Sequence, residues 1–195
     1  MIMTSGARAR LLATGQTTVY VAGDNGTYQK GLAKPTASYV ILTAGQYSGN
    51  VNITLNGKTD VKSNACVYDL NTGLMWSRTG SNSVGPLSGG MLPFTTNGNG
   101  EGAFTYVAAA NTAGVGGYND WRLPNCFELY SLMNIEAPTG LPNATAFPLW
   151  SISGHVSSTT IPTNTAYCVA VFVASGYSSQ TAKTSAGRIT LVRLG

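Results

Sequence analysis

One block of the sequence, residues 117–129, constrains the fold most; it runs GYNDWRLPNCFEL. It combines a glycine turn, a tryptophan suited to a core, and a proline just before a helix start. Asn125 as N-cap with Glu128 three residues later forms a capping-box pattern, in which the cap contributes about 1 kcal/mol. Asp120 is interpreted as a partner of Arg122 or as a cap for a nearby turn. Such residues build scaffold, so function is expected on another surface.

The low charge of the chain favours a turn-rich fold. Charged residues make up 9% of the 195 residues, and Gly, Ser, Thr and Asn take their place. An average globular protein carries roughly a quarter charged residues. The hydrophobic content of 43% is enough for a core. A β-rich start, two short helices, long loops and C-terminal strands follow one another, which predicts the α+β class rather than a βαβ repeat.

Local patterns predict the individual elements. Asn56-Gly57 after an alternating strand is the strongest short hairpin signal. A helix is predicted over residues 101–113, because Phe104, Val107, Ala108 and Asn111-Thr112 recur at three-to-four spacing with alanines between them. A second helix is predicted to start at Asn125 and to bury Leu129, Leu132 and Met133 on one face. Residues 77–100 are predicted as a long surface loop, and strands are predicted at 17–21, 38–42, 51–55, 65–69, 168–173 and 189–192.

Composition disfavours two classes of partner. The net charge is +4, but the eleven basic residues are scattered and no cluster alternates with aromatics, so no nucleic acid is expected. No segment reaches the roughly 18 apolar residues of a membrane span, so no membrane insertion is expected. The first residues also lack the run of about 7–15 apolar residues that a signal peptide needs.

No pattern of catalytic residues is present, so the chain is expected not to be an enzyme. There is no Gly-rich phosphate loop, and no GxSxG elbow accompanies His155. Cys66, Cys126 and Cys168 form no CxxC and, with a single histidine, no zinc set; they are interpreted as buried thiols. Residues 24–26 (DNG) are interpreted as a plain turn rather than a calcium loop. No metal and no cofactor are expected.

Three blocks together carry a resemblance. They are residues 69–76 (DLNTGLMW), residues 117–129, and residues 157–160 (SSTT), followed by Gly176 and a terminal Leu-Val-Arg at 191–193. The chain resembles, over roughly residues 14–193, the domain family typified by the C-terminal domain of the Lcl collagen-like adhesin. The resemblance implies a C-type-lectin-like fold, related to the formylglycine-generating-enzyme type, and a binding role. Family members sit on bacterial surfaces or in bacteriophage particles, and adhesin members are trimeric.

The resemblance also implies a division of the chain. Residues 63–195 are expected to form the C-type-lectin-like binding domain, with two short helices, small antiparallel sheets and long loops. Residues 1–62 are expected to form an N-terminal arm and a β-rich attachment or oligomerisation region. The structural signature of the domain is expected to comprise Trp76, Asp120, Trp121, Arg122 and Glu128.

Departures from the family pattern suggest where the protein is assembled. Exported relatives often carry a bonded pair of cysteines at the positions of Val107 and Leu191. The loss of both fits a reducing cytoplasm, which favours a phage structural protein over a bacterial surface adhesin. Further departures at Val156, Val169 and Thr190 cluster near the C-terminus. One hypothesis is diversification by a retroelement, and the alternative is ordinary loop drift.

Strand alternation predicts which residues face a ligand. If Val169, Val171 and Val173 point inward, Ala170, Phe172 and Ala174 point outward. The alternative is that Phe172 belongs to the core and the register is shifted by one. The predicted ligand-binding residues are His155, Ala170, Phe172, Ala174, Tyr177, Ser178 and Thr190.

These interpretations lead to one expected function and its alternatives. The chain is expected to be a non-enzymatic virion protein, assembled in the bacterial cytoplasm, that binds a host-cell or mucosal glycan or protein through its C-terminal face. Its N-terminal region is expected to contact other virion proteins or to build a homotrimer. The alternatives are a purely structural capsid or tail decoration protein and a bacterial surface adhesin domain. An enzyme of the formylglycine-generating type would need two cooperating cysteines.

Overall fold

The computed structural model describes residues 16, 18–22, 24–28, 38–43, 45, 48–78, 91–134, 143–148 and 153–195. Its helices are α1 (Asn25–Tyr28), α2 (Ala103–Ala113) and α3 (Cys126–Leu132), with 3-10 turns at Val115–Gly117 and Val173–Ser175. Its strands are β1 (Tyr39–Leu42), β2 (Asn50–Leu55), β3 (Lys58–Ser63), β4 (Cys66–Asp69), β5 (Leu74–Ser77), β6 (Met91–Pro93), β7 (His155–Thr160), β8 (Tyr167–Phe172), β9 (Tyr177–Ala182), β10 (Ala186–Arg188) and β11 (Val192–Leu194).

The strands of the described residues form three small sheets. Their orders are β1-β4-β5-β11, β6-β10-β7-β8-β9 and β2-β3. All pairs are antiparallel except β7 with β10. The last strand, β11, lies beside β5, so the end of the chain returns to the strands around residue 70. Two principal helices combined with small, mostly antiparallel sheets confirm the predicted α+β class.

The four-stranded sheet has a hydrophobic core on each face. Cys66 and Met75 belong to the larger core, together with Tyr106, Trp121 and Leu191. Their strand neighbours Val67 and Trp76 belong to the smaller core, together with Leu129, Phe147 and Val192. Successive side chains of a strand point to opposite faces, so β4 and β5 fill both cores. This double burial explains why β5 is apolar almost throughout rather than alternating.

The predicted hairpin is confirmed as β2–β3. Asn56 and Gly57 both have positive φ, at 50° and 72°, as a two-residue type I′ turn requires. Ile53 on β2 is fully buried in the larger core, which α2 also lines. The predicted boundary between residues 62 and 63 lies inside β3. Through Ile53 the hairpin also packs into the same core as the residues that follow it.

The first helix is confirmed, but of the apolar residues at that spacing only Val107 packs, partly buried, against the larger core. Phe104 is half exposed and Ala108 is exposed. The buried side chains of α2 are Ala103, Tyr106 and Ala110. Apolar residues and alanines occur on all sides of α2, so the periodicity of the sequence could not select the buried face. The position of β2 decides which face is buried.

The second helix is confirmed with its cap. The Asn125 side chain accepts a 2.9 Å hydrogen bond from the Glu128 backbone N–H, and the Glu128 carboxylate accepts one of 2.8 Å from the Asn125 N–H. Leu129, Leu132 and Met133 are buried, as predicted. The local pattern therefore determines both where this helix begins and which face it buries.

Three other element predictions are corrected. The described part of residues 17–21 is not a strand, because the Asp24 carboxylate accepts backbone N–H groups of Tyr20 and Val21 and winds the segment into a turn. The predicted loop 77–100 contains β6. The predicted strand 189–192 is replaced by β10 and β11, which lie in different sheets, and residues 189–191 cross between them.

Candidate ligand-binding face

Two of the predicted ligand residues meet at an open edge of the five-stranded sheet. Among the described residues, β9 is the outer strand of this sheet and pairs on one side with β8. Phe172 lies directly opposite Tyr177 in this pairing. Their rings are stacked, with centroids 4.9 Å apart and planes inclined by 6°. The first four residues of β9 are all exposed, so the stacked pair stands beside a polar, accessible strand.

A tight turn produces this stacking. Residues 173–175 form a 3-10 turn, and Gly176 follows in the left-handed conformation with φ 72° and ψ 19°. The Gly176 N–H donates a 3.0 Å hydrogen bond to the Phe172 carbonyl. Glycine adopts this conformation without the penalty that a Cβ brings. The turn therefore fixes the register that places Tyr177 against Phe172.

Phe172 is the more buried ring of the stacked pair, and Tyr177 is the more exposed one. A Cβ on residue 154 would lie 2.8 Å from Cζ of Phe172, so Gly154 leaves only enough room for the phenyl ring. Phe172 is half-buried, whereas Tyr177 is 49% exposed. Val171 and Val173 are buried, as predicted. The predicted outward Phe172 is thus corrected to a ring held between Gly154 and Tyr177.

Ala170 is buried, so its predicted outward position is wrong. Strand β8 has core on both faces: Cys168 belongs to the larger core and Val171 to the smaller one. Alternation along a strand therefore changes which core a side chain meets rather than exposing every second residue. Ser178 is exposed, as predicted. The side chain of Ala174 lies outside the described residues.

His155 and Thr190 are also in the interior, which corrects their predicted place on the surface. His155 is 1% exposed and Thr190 is fully buried. The His155 Nδ1 atom lies 2.8 Å from the Thr190 hydroxyl oxygen. The parallel pairing of Arg188 with His155 brings the segment after β10 across the start of β7. This hydrogen bond satisfies the buried Nδ1 atom and the buried hydroxyl group, and neither residue is accessible to a ligand.

Two arginine–carboxylate pairs involve residues 117–129, which we call the signature block, but the predicted pair is not one of them. Asp120 pairs with Arg193, with Nε–Oδ1 at 2.6 Å and Nη2–Oδ2 at 3.1 Å. Arg122 pairs with Glu128, with Nη1–Oε2 at 2.8 Å and Nη2–Oε1 at 2.6 Å. Both pairs are bidentate, the geometry that orients arginine most specifically. The predicted pairing of Asp120 with Arg122 is therefore wrong.

The partners of these pairs show what they join. The Arg193 guanidinium also lies 3.9 Å from the centroid of the Tyr118 ring. Its hydrogen bonds lower the pKa of Asp120 from the usual range. Burial raises the pKa of Glu128, but the hydrogen bonds from Arg122 and the Asn125 N–H outweigh that effect and lower it. The Asp120–Arg193 pair joins the signature block to β11. The Arg122–Glu128 pair lies within the block and joins the residues before α3 to the first turn of that helix.

Trp76 and Trp121 are buried anchors, as predicted, with 0% and 2% exposure. The Trp121 indole donates a 2.8 Å hydrogen bond to the Val115 carbonyl. Asn111 on α2 both accepts from the Trp121 N–H, at 2.8 Å, and donates to the Trp121 carbonyl, at 2.9 Å. An amide side chain that pairs with a backbone in this way was not predictable, because nothing in the sequence links Asn111 to Trp121.

The cysteines are buried free thiols, as predicted. Burial raises the pKa of Cys66 to about 12 and also raises that of Cys168, which keeps both thiols protonated. Within the described ranges, no group of three or more His, Cys, Asp or Glu residues could hold a metal ion. No helix in that part of the chain is long and apolar enough to cross a membrane.

A buried polar cluster between β3 and α2 was not predicted. The Tyr106 hydroxyl donates a 2.6 Å hydrogen bond to Asp60, and the Lys62 ammonium lies 5.7 Å from the Tyr106 ring centroid. Asp60 and Lys62 are almost fully buried, while Val61 between them is exposed. Burial lowers the pKa of Lys62 to about 8 and raises that of Asp60. Val61 is the only apolar residue of β3 and would be expected to face the core, so the sequence carries no usable signal for the burial of Asp60 and Lys62.

The fold and the site together define an α+β domain in which the Asp120–Arg193 pair joins the last strand, β11, to the signature block. A comparison with protein families matches residues 65–193 to the Lcl C-terminal domain. This match covers more than half of the chain, so the chain belongs to the Lcl C-terminal domain family, as predicted. It begins next to β4 and ends in β11, and thus includes both arginine–carboxylate pairs. The comparison with curated proteins found no match.

Proposed function

We propose that this chain is a non-enzymatic binding protein of a bacteriophage particle, with a C-type-lectin-like fold, that contacts a host-cell or mucosal surface through its C-terminal sheet. The observation that carries the proposal is the stacked Phe172–Tyr177 pair at the open edge of β9. A half-exposed aromatic ring with a fixed orientation is a favourable contact for a partner. The tight turn at Gly176 and the close approach of Gly154 hold it outside the core.

The positions of the titratable groups support binding rather than catalysis. His155 is enclosed with Thr190, and the Cys66 thiol is buried with a pKa of about 12. A general base or nucleophile must reach its substrate. The alternative of a formylglycine-generating type of enzyme also requires cooperating cysteines, whereas Cys66 and Cys126 belong to different cores.

Assembly in a reducing cytoplasm is supported by the larger core. Val107 and Leu191, which stand where exported relatives often carry cysteines, both contribute apolar side chains to it. Cys66 and Cys168 lie in the same core as free thiols. An oxidising compartment favours disulfides in a small domain, so this arrangement favours a phage particle over a bacterial surface adhesin.

The N-terminal residues suggest how the chain attaches to its particle or to further copies of itself. Val19, Tyr20, Val21 and Tyr28 are exposed apolar side chains, and clustered apolar surface marks contacts with other proteins. The proposal assigns this segment to other virion proteins or to a homotrimer. The same observation favours the second candidate, a purely structural capsid or tail decoration protein.

Adsorption of particles distinguishes the two candidates. Particles that carry Tyr177→Ala are expected to assemble with normal composition and to lose adsorption to the host. Phe127→Ala is the matched control, because it also removes an exposed aromatic ring, 79% exposed, but from α3 rather than from β9. Imaging of the intact particle should place the chain at an outer surface. If the Tyr177→Ala particles adsorb as well as the control, the binding role is contradicted and the decoration role is favoured.

A further inference from the structure

The exposed edge of the C-terminal sheet lies in an uncharged part of the chain. No Asp, Glu, Lys or Arg occurs between residues 137 and 182, a span that includes β7, β8 and β9. Lys183, directly after β9, has its ammonium 4.7 Å from the Phe94 ring centroid. Arg188 lies on β10, separated from β9 by β7 and β8, and its Nε is buried. Strand β9 therefore offers none of the charge-assisted hydrogen bonds that bind sulfate, phosphate or carboxylate groups.

The Tyr177 ring is a flat surface with a fixed orientation. One of its faces is stacked on Phe172, and nearly half of the side chain remains exposed. Phe172 in turn is confined by Gly154, where a Cβ would approach the phenyl ring to 2.8 Å. A ring that is oriented before binding loses little conformational entropy when a ligand covers it.

The residues that follow Tyr177 on β9 carry polar side chains without charge. With a period of two, Ser179 and Thr181 lie on the same face of β9 as Tyr177. Ser178 and Gln180 lie on the other face, and both are exposed. Hydroxyl and amide groups both donate and accept hydrogen bonds. They match a ligand that is itself dense in hydroxyl groups.

We propose that the Tyr177 ring and the Ser179 hydroxyl form a subsite for an uncharged sugar ring of a surface glycan. The inference rests on the proposed binding function and names the ligand class of that face. The C–H groups on one side of a sugar ring carry a partial positive charge and pack against the electron-rich face of an aromatic ring. The sugar hydroxyls bind the serine and threonine hydroxyls along the strand.

A protein partner fits this edge less well. Protein interfaces of standard size bury about 1,200–2,000 Å² and centre on a cluster of apolar and aromatic side chains. On β9 a single exposed aromatic side chain is followed by Ser178, Ser179 and Gln180. A subsite of this size binds weakly by itself, but a particle that displays many copies gains avidity.

Binding of the full-length chain to defined glycans tests the inference. The neutral probes are mucin glycans freed of sialic acid and sulfate, together with neutral bacterial polysaccharides, and heparin is the charged probe. We expect the chain to bind a neutral probe and to prefer it over heparin. Tyr177→Ala should weaken that binding about tenfold or more, as the loss of one stacked ring does elsewhere. Tyr177→Phe, which keeps the ring, and Phe127→Ala should leave it unchanged.

Two treatments of whole host cells separate this inference from the proposed function. Periodate, which cleaves sugar rings, should abolish binding of the chain, and protease should not. If binding depends on Tyr177 but is lost with protease and survives periodate, the face binds a protein and the glycan inference is overturned. A preference for heparin, or no binding of the neutral probes, also overturns it. If Tyr177→Ala leaves cell binding unchanged, both the inference and the proposed function fail.

Discussion

At the scale of single residues, the charges of residues 117–129 do not pair with the nearest opposite charge in the sequence. Asp120 and Arg122 are two positions apart, yet Asp120 bonds Arg193 and Arg122 bonds Glu128. Neighbouring charges at this spacing suggest a local pair. The partner of Asp120 is decided by β11, which brings Arg193 beside the block and forms a bridge with Arg122. The partner of Arg122 is Glu128 in the first turn of α3, where the same carboxylate also accepts the Asn125 N–H.

Crossed double-mutant cycles test these pairings. The cycle of Asp120→Ala with Arg193→Ala should give a coupling energy of roughly 0.5–1 kcal/mol, because Asp120 is more than half exposed and solvent weakens the pair. The cycle of Asp120→Ala with Arg122→Ala should give a coupling near zero. The measurement is the free energy of unfolding in urea. A larger coupling in the second cycle than in the first would refute the observed pairing.

At the scale of elements, the hairpin β2–β3 is held to α2 by a buried polar cluster rather than by apolar contacts alone. Asp60 accepts a hydrogen bond from Tyr106, and Lys62 lies on the same face of β3 as Asp60. Burial lowers the pKa of Lys62 to about 8 and raises that of Tyr106 well above its usual value. The contact between hairpin and helix therefore depends on pH.

The sign of that dependence follows from the unfolded state. Above pH 8 an unfolded lysine keeps its proton, while folded Lys62 releases it, so Lys62 contributes a rise in stability on the order of 2 kcal/mol up to pH 10. Above about pH 9 the unfolded Cys66 thiol ionises while the buried thiol keeps its proton, which opposes this rise, so the net increase is expected chiefly between pH 8 and pH 9. Above pH 10 the unfolded tyrosine ionises and buried Tyr106 does not, so stability should fall again. Urea unfolding across this range measures these effects.

A matched variant isolates the lysine. Lys62→Met should flatten the rise between pH 8 and pH 10, whereas Val61→Ala, which changes an exposed and uncharged side chain on the same strand, should keep it. A rise that persists unchanged in Lys62→Met would show that another group causes it.

At the scale of the whole molecule, the last strand, β11, and the residue before it join the two cores. Leu191 is fully buried in the larger core, and Val192, the next residue, is fully buried in the smaller one. The backbone of Val192 exchanges hydrogen bonds of 2.9 and 3.0 Å with Arg122. A segment that fills both cores couples them, so neither core is expected to unfold alone.

Substitutions in either core should therefore shift a single unfolding transition that both cores share. Leu191→Ala is expected to lower the free energy of unfolding by about 2–5 kcal/mol, and Val192→Ala should lower it by less because it removes fewer atoms. Trp121 reports on the larger core and Trp76 on the smaller one. Fluorescence of variants that retain one of these tryptophans should give coincident midpoints. Separate midpoints would mean that the cores unfold independently.

The candidate site shows how far sequence patterns reach. Tyr177 and Ser178 are exposed as predicted because they follow a glycine turn and begin an edge strand. Ala170 was misplaced because alternation predicts which face of a strand a residue occupies, but not whether that face is covered. His155 and Thr190 were expected on the same surface as Tyr177, but both are buried. On β8 both faces are covered, and a buried hydrogen bond between His155 and Thr190 has no local signature.

The sequence by itself determined what depends on neighbouring residues. The Asn56-Gly57 turn, the Asn125–Glu128 capping box, the buried tryptophans and the family membership all follow from short local patterns, whose energetics involve a few adjacent residues. The tertiary structure alone decided what depends on distant partners. The Asp120–Arg193 pair, the burial of Lys62 and the stacking of Tyr177 on a Phe172 confined by Gly154 require chain segments that only folding brings together. Such contacts leave no mark at any fixed spacing, because their separation along the chain is set by the intervening loops.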